Sequence, residues 1–519
     1  MDNIFVQNIK SCETIKLVDK NMDYLDPQKK RNHKVRLLIG YGLFAVAISI
    51  ATVLLVYIAN GYIIDKSTGE VIQNGLVFVD SKPNGANVVL NGEQQRGKTD
   101  VRLVIPEGAY TVDVDLEGYE SWTRSFLLDG ASLRRLTYAR LFPTELETTP
   151  VLDLTSDVSD ISQSIDKRWL AVSHSVSPLS LSLIDIDRTV PTIVSLKIPE
   201  TLVSSLVNGR VKFIEWTADN KSVLVKYNSD SEVAYLLINR EDPSLSQNLN
   251  TLLDDSSAVV SLLDRKNDQF FAFNATEKAL YTATATAGIA AEPVATSVLA
   301  YKTFGADWIL YVTESGKKDL AEVRFKRGDK DILLHEIQAD NSYLLQLAKL
   351  GSAPVMAVSS PIENRAIVYS DPQDYLNNNP DARIPVATAV VRVTSPIGLT
   401  ISSDSSVVLG YGMDNFASYE FNDEKSYNYK TESNIDIGNE VHWMDGQHIV
   451  FSSEGIQHVV DFDGSNEVKL VSSVGSIGSF YNDAISQMFT VSPSVAATES
   501  TLAIPSKVHA TELLIPADR

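Results

Sequence analysis

Ser164-Ile165-Asp166-Lys167-Arg168-Trp169-Leu170-Ala171-Val172 places a polar turn with a central aspartate directly before a short run of strand-forming apolar residues. The same order returns at Thr217-Ala218-Asp219-Asn220-Lys221-Ser222-Val223-Leu224-Val225, at Ser402-Ser403-Asp404-Ser405-Ser406-Val407-Val408-Leu409, and at Trp443-Met444-Asp445-Gly446-Gln447-His448-Ile449-Val450-Phe451. Weaker copies start near Leu263-Asp264, Gly305-Ala306-Asp307, Ile362-Glu363 and Asn482-Asp483, giving steps of 53, 45, 43, 56, 41, 41 and 38 residues. A repeat of about 40–50 residues built from short strands predicts a β-propeller, here over residues 151–519. Eight turns predict eight blades, or seven if the last copy closes the ring with the strand near Val151-Leu152-Asp153-Leu154.

N-terminal to the repeats, short β-prone runs alternate with turn clusters at Pro83-Asn84-Gly85, Asn91-Gly92 and Pro106-Glu107-Gly108. Tyr110-Thr111-Val112-Asp113-Val114-Asp115-Leu116 alternates strictly, which predicts a strand with one buried face. Within Ile105-Pro106-Glu107-Gly108-Ala109-Tyr110 stands Pro-Glu-Gly-Ala, and the stretch resembles the PEGA domain that takes its name from this tetrapeptide. Ser81-Lys82-Pro83-Asn84-Gly85, Leu90-Asn91-Gly92 and Glu117-Gly118-Tyr119 extend the resemblance over residues 75–142, while Gly97-Lys98-Thr99-Asp100 departs from the usual Thr-Pro. It implies a small β-sandwich, commonly an extracytoplasmic accessory module, with no established chemistry. Pro106, Glu107, Gly108 and Ala109 are expected to be structural: proline presets φ for a turn and glycine permits a positive one. The later repeats resemble the TolB-like, WD-related propeller unit, whose core is roughly Ser-Pro-Asp-Gly before a buried strand.

Leu37–Ile58, LLIGYGLFAVAISIATVLLVYI, contains no charge, and 13 of its 22 residues are Leu, Ile, Val or Phe. At about 1.5 Å per residue it reaches about 33 Å, enough to span a membrane as one helix. Residues 1–36 carry eight Lys or Arg against five Asp or Glu, while the whole chain has a net charge of −21. Lys29, Lys30, Arg31, Lys34 and Arg36 crowd the N-terminal flank, so the positive-inside rule puts the N-terminus in the cytoplasm and the bulk of the chain outside the cell membrane. Residues 1–36 are expected to be a disordered tail and residues 59–74 a membrane-proximal hairpin around Ser67-Thr68-Gly69. The single cysteine, Cys12, leaves the outer portion without disulfides or thiolate metal sites. Its acidity excludes nucleic-acid binding, which needs clustered cations.

The expected fold is therefore an all-β extracytoplasmic region, a small β-sandwich plus a seven- or eight-bladed β-propeller, on a single N-terminal transmembrane α-helix. No catalytic motif stands out. Ser164-Ile165-Asp166-Lys167 has Ser-x-x-Lys spacing but lies on a repeat turn rather than a helix. His442, His448 and His458 share one blade, at spacings that do not converge on a metal. Asp461-Phe462-Asp463-Gly464-Ser465-Asn466 begins like a calcium loop but has Ser472 at the twelfth position, which predicts a hairpin turn. Tyr411, Phe416, Tyr419, Phe421, Tyr427 and Tyr429 form the densest aromatic group; they read as sheet packing and, secondarily, as a binding surface for sugar rings or peptide side chains. The chain reads as a prokaryotic membrane-anchored binding or scaffolding protein for an envelope glycan or protein, without cofactor or metal and with the oligomeric state open. The alternative is an extracytoplasmic propeller hydrolase or lyase acting on envelope polymers.

Overall fold

The computed structural model describes residues 27–59, 61–64, 69, 71–154, 157–188, 190–436, 441–472, 478–494 and 505–515. Cys12, the Ser67-Thr68 turn and the side chains of Lys29 and Lys30 lie outside the described residues. Two compact units result: Met1–Val79 with Asp100–Thr111 and Ser125–Thr137, and Asp80–Thr99 with Val112–Arg124 and Tyr138–Arg519.

In the first unit one helix runs over Pro27–Ala59. It starts ten residues before the uncharged run, so residues 27–36, expected to be disordered, are its first turns. Pro27 suits a first helical position because its missing N–H would have no intrahelical partner there. Arg31–Ala59 is long and apolar enough to cross a membrane, and none of its apolar window is buried. Ser49 and Thr52 turn their hydroxyls back onto the carbonyls of Ala45 and Ile48 at 2.9 and 2.8 Å, so neither donor is left unpaired on this apolar surface. Beyond the helix, Tyr62–Ile64 pairs with Val71–Lys82 as the expected hairpin. Val71–Lys82 then pairs with Val101–Pro106 in the register Asn74↔Pro106 to Val79↔Val101.

Glu107 interrupts the run between Val101–Pro106 and the next strand, Gly108–Asp115. Gly108 has φ +157°, a positive value that residues with a side chain rarely adopt, as expected for the glycine of the tetrapeptide. The turn is held by Tyr110, whose hydroxyl donates to the Pro106 carbonyl at 2.9 Å, and by Glu107 N–H donating to the Gln73 carbonyl.

Within the second unit, residues 148–512 form eight four-stranded antiparallel sheets among the described residues, seven of them built from consecutive strands. Their first strands are Val158–Gln163, Arg210–Trp216, Val259–Leu262, Val298–Phe304, Leu344–Leu350, Gly398–Ile401, His442–Trp443 and Ser479–Asn482. These begin blades 1 to 8, and the first strands of blades 1 and 2, 2 and 3, 4 and 5, and 5 and 6 lie against one another. Blade 8 takes its outermost strand, Thr148–Asp153, from the start of the propeller, paired with Lys507–Glu512 in the register Val508↔Leu152. The expected closing strand therefore completes an eighth blade rather than reducing the count to seven.

The physical basis of the ring is one apolar seam per blade interface. Phe489, Val491, Val508 and Ala510 of blade 8 meet Leu170, Val172 and Ile184 of blade 1, all buried, which closes the circle. Trp216, Val225 and Leu236 pack blade 2 on blade 1, and Phe325, Leu347 and Met356 join blades 4 and 5. One predicted repeat was misplaced: Ile362-Glu363 lies between the second and third strands of blade 5, whose first turn is at Gly351, φ +62°.

Candidate functional site

The repeated aspartate has a local job. Asp219 accepts from the Thr217 hydroxyl at 2.7 Å and from Lys221 N–H at 3.0 Å, while Thr217 Oγ1 accepts from Ser222 N–H at 3.0 Å. Asp404 repeats this with the Ser402 hydroxyl at 2.6 Å and Ser406 N–H at 3.1 Å, and Asp166 with Ser164 and Arg168 N–H. The residue after the aspartate is left-handed in all three turns: Lys167, Asn220 and Ser405 have φ of +59°, +55° and +63°. This explains why glycine suits that position in the repeat and why asparagine serves it. Ser164 and Lys167 are thereby committed to separate tasks; Lys167 donates to the Met444 carbonyl at 2.7 Å and lies over the Tyr481 ring, with burial lowering its pKa.

First-strand polar groups tie blade 1 to blade 2, blade 2 to blade 3 and blade 5 to blade 6. Asp160 accepts from Phe213 N–H and Glu215 from Leu262 N–H, both at 2.7 Å, and Gln346 donates to the Leu399 carbonyl at 2.8 Å. Burial raises the Glu215 pKa, an effect its backbone partner and the nearby Arg265 and Lys302 only partly offset.

The three histidines of blade 7 go to three different places. His442 meets the Ser479 hydroxyl at 3.3 Å, and His458 stacks on Phe451 and pairs with Glu467 at 2.7 Å. His448, 2% exposed, stands between Asp445 at 2.8 Å and Asp461 at 3.3 Å. No group of three or more His, Cys, Asp or Glu able to hold a metal occurs among the described residues.

Asp461 leads into an extended polar assembly of the second unit. Trp122 Nε1–H, arriving from a strand 339 positions earlier in the chain, donates to its buried carboxylate at 2.8 Å, and Asn466 Nδ2 donates at 2.9 Å. Burial pushes this carboxyl up, against the pull of His448, Asn466 and Trp122. Arg124 forms an ion pair with Asp463 and lies over the Tyr427 and Phe462 rings at 5.5 and 5.3 Å. Thr123 and Asn466 exchange two bonds of 2.9 and 3.0 Å. Beside them Arg140 reaches Asp445 at 3.5 Å and donates to the Tyr481 hydroxyl at 2.7 Å, while Lys82 meets Asp483 at 2.6 Å. Burial disfavours charge on Asp445 and Asp483, but their cationic and hydrogen-bonding neighbours outweigh it; Asp445 lies well below the usual range and Asp483 at about 2. The loop that resembles a calcium site is thus a hairpin turn filled by an arginine and a tryptophan.

Trp122, Arg124, Arg140 and Lys82 escaped the sequence reading, although a signal was present. Trp122–Leu128 alternates buried and exposed positions, and Arg124 sits on the buried face with Trp122, Phe126 and Leu128. A charge on an apolar stripe needs a partner.

Of the aromatic group, Phe416 and Tyr419 are buried, and Tyr429 stacks on Phe416 with ring centroids 5.1 Å apart. Tyr411 packs on Phe416, Phe421 on Tyr419 edge to face, and Tyr427 against Phe462 and Arg124. These residues fill the seams of blade 6 with its two neighbours.

Comparison with known proteins identifies part of this architecture. Residues 74–138 match the family model of the PEGA domain. The PEGA segment therefore contributes Trp122, Arg124 and Lys82 to the assembly around Asp461. No curated protein matches the chain. Among solved structures, the C-terminal WD40 domain of Sif2 is similar with a TM-score of 0.47 and 11% identity, over 71% of this chain and 98% of that one. Hsv2 from Kluyveromyces lactis gives 0.38 and 12%, over 69% and 100%. Dihydro-heme d1 dehydrogenase NirN in complex with DHE gives 0.39 and 15%, over 60% and 66%.

Proposed function

We propose that this chain is a single-pass membrane protein that displays a PEGA-type sandwich and an eight-bladed propeller outside the cell membrane, as a binding scaffold for an envelope protein or glycan. Residues 1–36 face the cytoplasm, 37–58 span, 59–74 link, 75–142 form the sandwich and 151–519 the propeller. The observation that carries this reading is the assembly around Asp461. It fixes Trp122, Thr123 and Arg124 onto blade 7 through a buried carboxylate, an ion pair and two backbone-directed bonds, as a scaffold that presents surfaces in a set geometry requires. Arg31, Lys34 and Arg36 on the first turns of the helix support the orientation.

Cys12, the only cysteine, supplies the test. In intact cells a membrane-impermeant maleimide should leave Cys12 unlabelled and should label a Ser195→Cys variant, whose position is exposed on the outer strand of blade 1. Labelling of Cys12 without permeabilisation would refute the orientation. Crosslinking on intact cells followed by purification of the chain then identifies the partner, and recovery of no specific glycan or protein would count against the scaffold.

A further inference from the structure

The outermost strand of a blade leaves one edge without a neighbour, and an open edge invites pairing with another chain, so natural sheets blunt it. Among the described residues, seven of the eight outermost strands do so. Gln247–Asn248, Gly288–Ile289 and Ala389–Val391 are only two or three residues long. Lys330–Gln338 and Val468–Ser472 carry charges and register shifts against their partners. Thr148–Asp153 holds Pro150 and a register shift, and Lys425–Lys430 has a lysine at each end.

Thr192–Lys197, the outermost strand of blade 1, has neither proline nor charge in its interior. It pairs with Ser180–Asp185 over six unbroken steps, from Ser180↔Lys197 to Asp185↔Thr192, and Pro191 and Pro199 bound it. Ile198 N–H donates to the Leu179 carbonyl at 2.8 Å, which sets the phase of this ladder. Thr192, Val194 and Leu196 therefore turn their backbone groups to Ser180–Asp185, while Ile193, Ser195 and Lys197 turn three N–H and three C=O groups outward. Among the described residues nothing pairs with those six groups. Ile193 and Val194 are 37% and 57% exposed, and Lys197, also exposed, has no ion pair among the described residues.

We propose that this edge docks an extended segment of a partner protein, which joins blade 1 as a fifth, antiparallel strand of about six residues. The segment carries β-branched residues beside Ile193 and Val194 and an acid opposite Lys197. A second copy of this chain does not fit. Two such edges would touch along only about 20 Å of strand, short of the about 800 Å² per partner of a stable interface. With all six residues paired, that symmetric contact would also set Lys197 against Thr192 rather than an acid. The inference deepens the scaffold reading and rests on it for where the partner lies.

The test is fluorescence anisotropy of a dye-labelled peptide, acetyl-Glu-Val-Thr-Val-Val-Thr-amide, titrated with the full chain in a non-ionic detergent. The peptide should bind. N-methylation of its third residue, opposite Ser195, should abolish binding, and N-methylation of its fourth, opposite Val194, should not, because only the first removes an N–H aimed at the edge. Ser195→Pro removes an outward N–H without costing a bond inside the blade, and should weaken binding tenfold or more. Ser426→Pro, the same change on the outermost strand of blade 6, should leave it unaltered. Lys197→Glu should weaken the peptide and favour one with lysine in place of its glutamate; this pair decides the matter if Ser195→Pro fails to fold. No binding, equal effects of the two methylations, or unchanged affinity in the blade 1 variants would overturn the site. Dimerisation of the chain that Ser195→Pro abolishes would replace the partner by a second copy and overturn the proposal. The titration uses purified chain and the orientation test reads Cys12 in intact cells, so either can fail alone.

Discussion

Replacing Trp122 by phenylalanine isolates the bond on which the Asp461 assembly turns. Most of the buried ring is kept, as is much of its edge-on contact with Tyr138 at 5.4 Å, but the Nε1–H donor 2.8 Å from the Asp461 carboxylate is lost. A hydrogen bond to a charged group contributes about 1.5–3 kcal/mol. Asn466 and His448 remain beside the carboxylate, so the lower half of that range applies and the expected cost is about 2 kcal/mol. The measurement is hydrogen exchange on the full chain, because the loss should open the assembly locally before the ring unfolds. About 2 kcal/mol corresponds to roughly 30-fold faster exchange in peptides covering 122–124 and 461–466, with blade 3 unchanged. Asp461→Asn removes the same interaction from the other side. The double variant should exchange only slightly faster than either single one, since both delete one bond. Unchanged exchange in Trp122→Phe, equal acceleration in blade 3, or fully additive effects would refute the reasoning.

Two further outcomes follow from other parts of the second unit. Gly464 has φ +86°, and a Cβ there would collide with the Tyr429 ring, so Gly464→Ala should destabilise the chain by roughly 2 kcal/mol or more and lower its thermal midpoint by several degrees in calorimetry. His335, stacked on Tyr369 with its Nδ1 3.1 Å from the tyrosine hydroxyl, is kept neutral by burial, which lowers its pKa from 6.5 to about 4. The unfolded chain therefore binds this proton first. Stability from this group is complete above pH 6.5 and is lost as pH falls towards 4, by about 3 kcal/mol in all. His335→Gln should flatten that part of the stability–pH curve, and a curve unchanged by the substitution would refute the assignment.

The ring was legible in the sequence because the first turns of blades 1, 2 and 6 share one local chemistry, an aspartate two residues after a hydroxyl that closes the turn on its own backbone. Blade 5 escaped it because Gly351 makes the turn without an aspartate, which is why the repeat near Ile362-Glu363 was assigned to the wrong turn. The helix was legible from its apolar run, but its true start was not, since Lys and Arg are good helix formers and nothing stops the helix before Pro27. The Asp461 loop was recognisable as a hairpin turn, yet its role was not. Its partners Trp122 and Arg124 lie in another module, and no local pattern around 461–466 encodes them. The aromatic group of blade 6 was visible as a cluster, but its sequence does not show that one of the seam-filling rings, Tyr427, also meets Arg124.

The borrowed outer strand of blade 8 has a consequence in time. Thr148–Asp153 leaves the ribosome long before Lys507–Glu512, its partner, has been made. Until then it is a strand edge with open hydrogen-bonding groups, and the seam of blade 8 with blade 1 has no second side. The first propeller strand to be synthesised is the last to be satisfied, so the ring locks in a single late step of very long sequence separation. Blades 1 to 7 can assemble in order of synthesis, whereas a chain cut short anywhere before residue 507 keeps its opening strand unpaired.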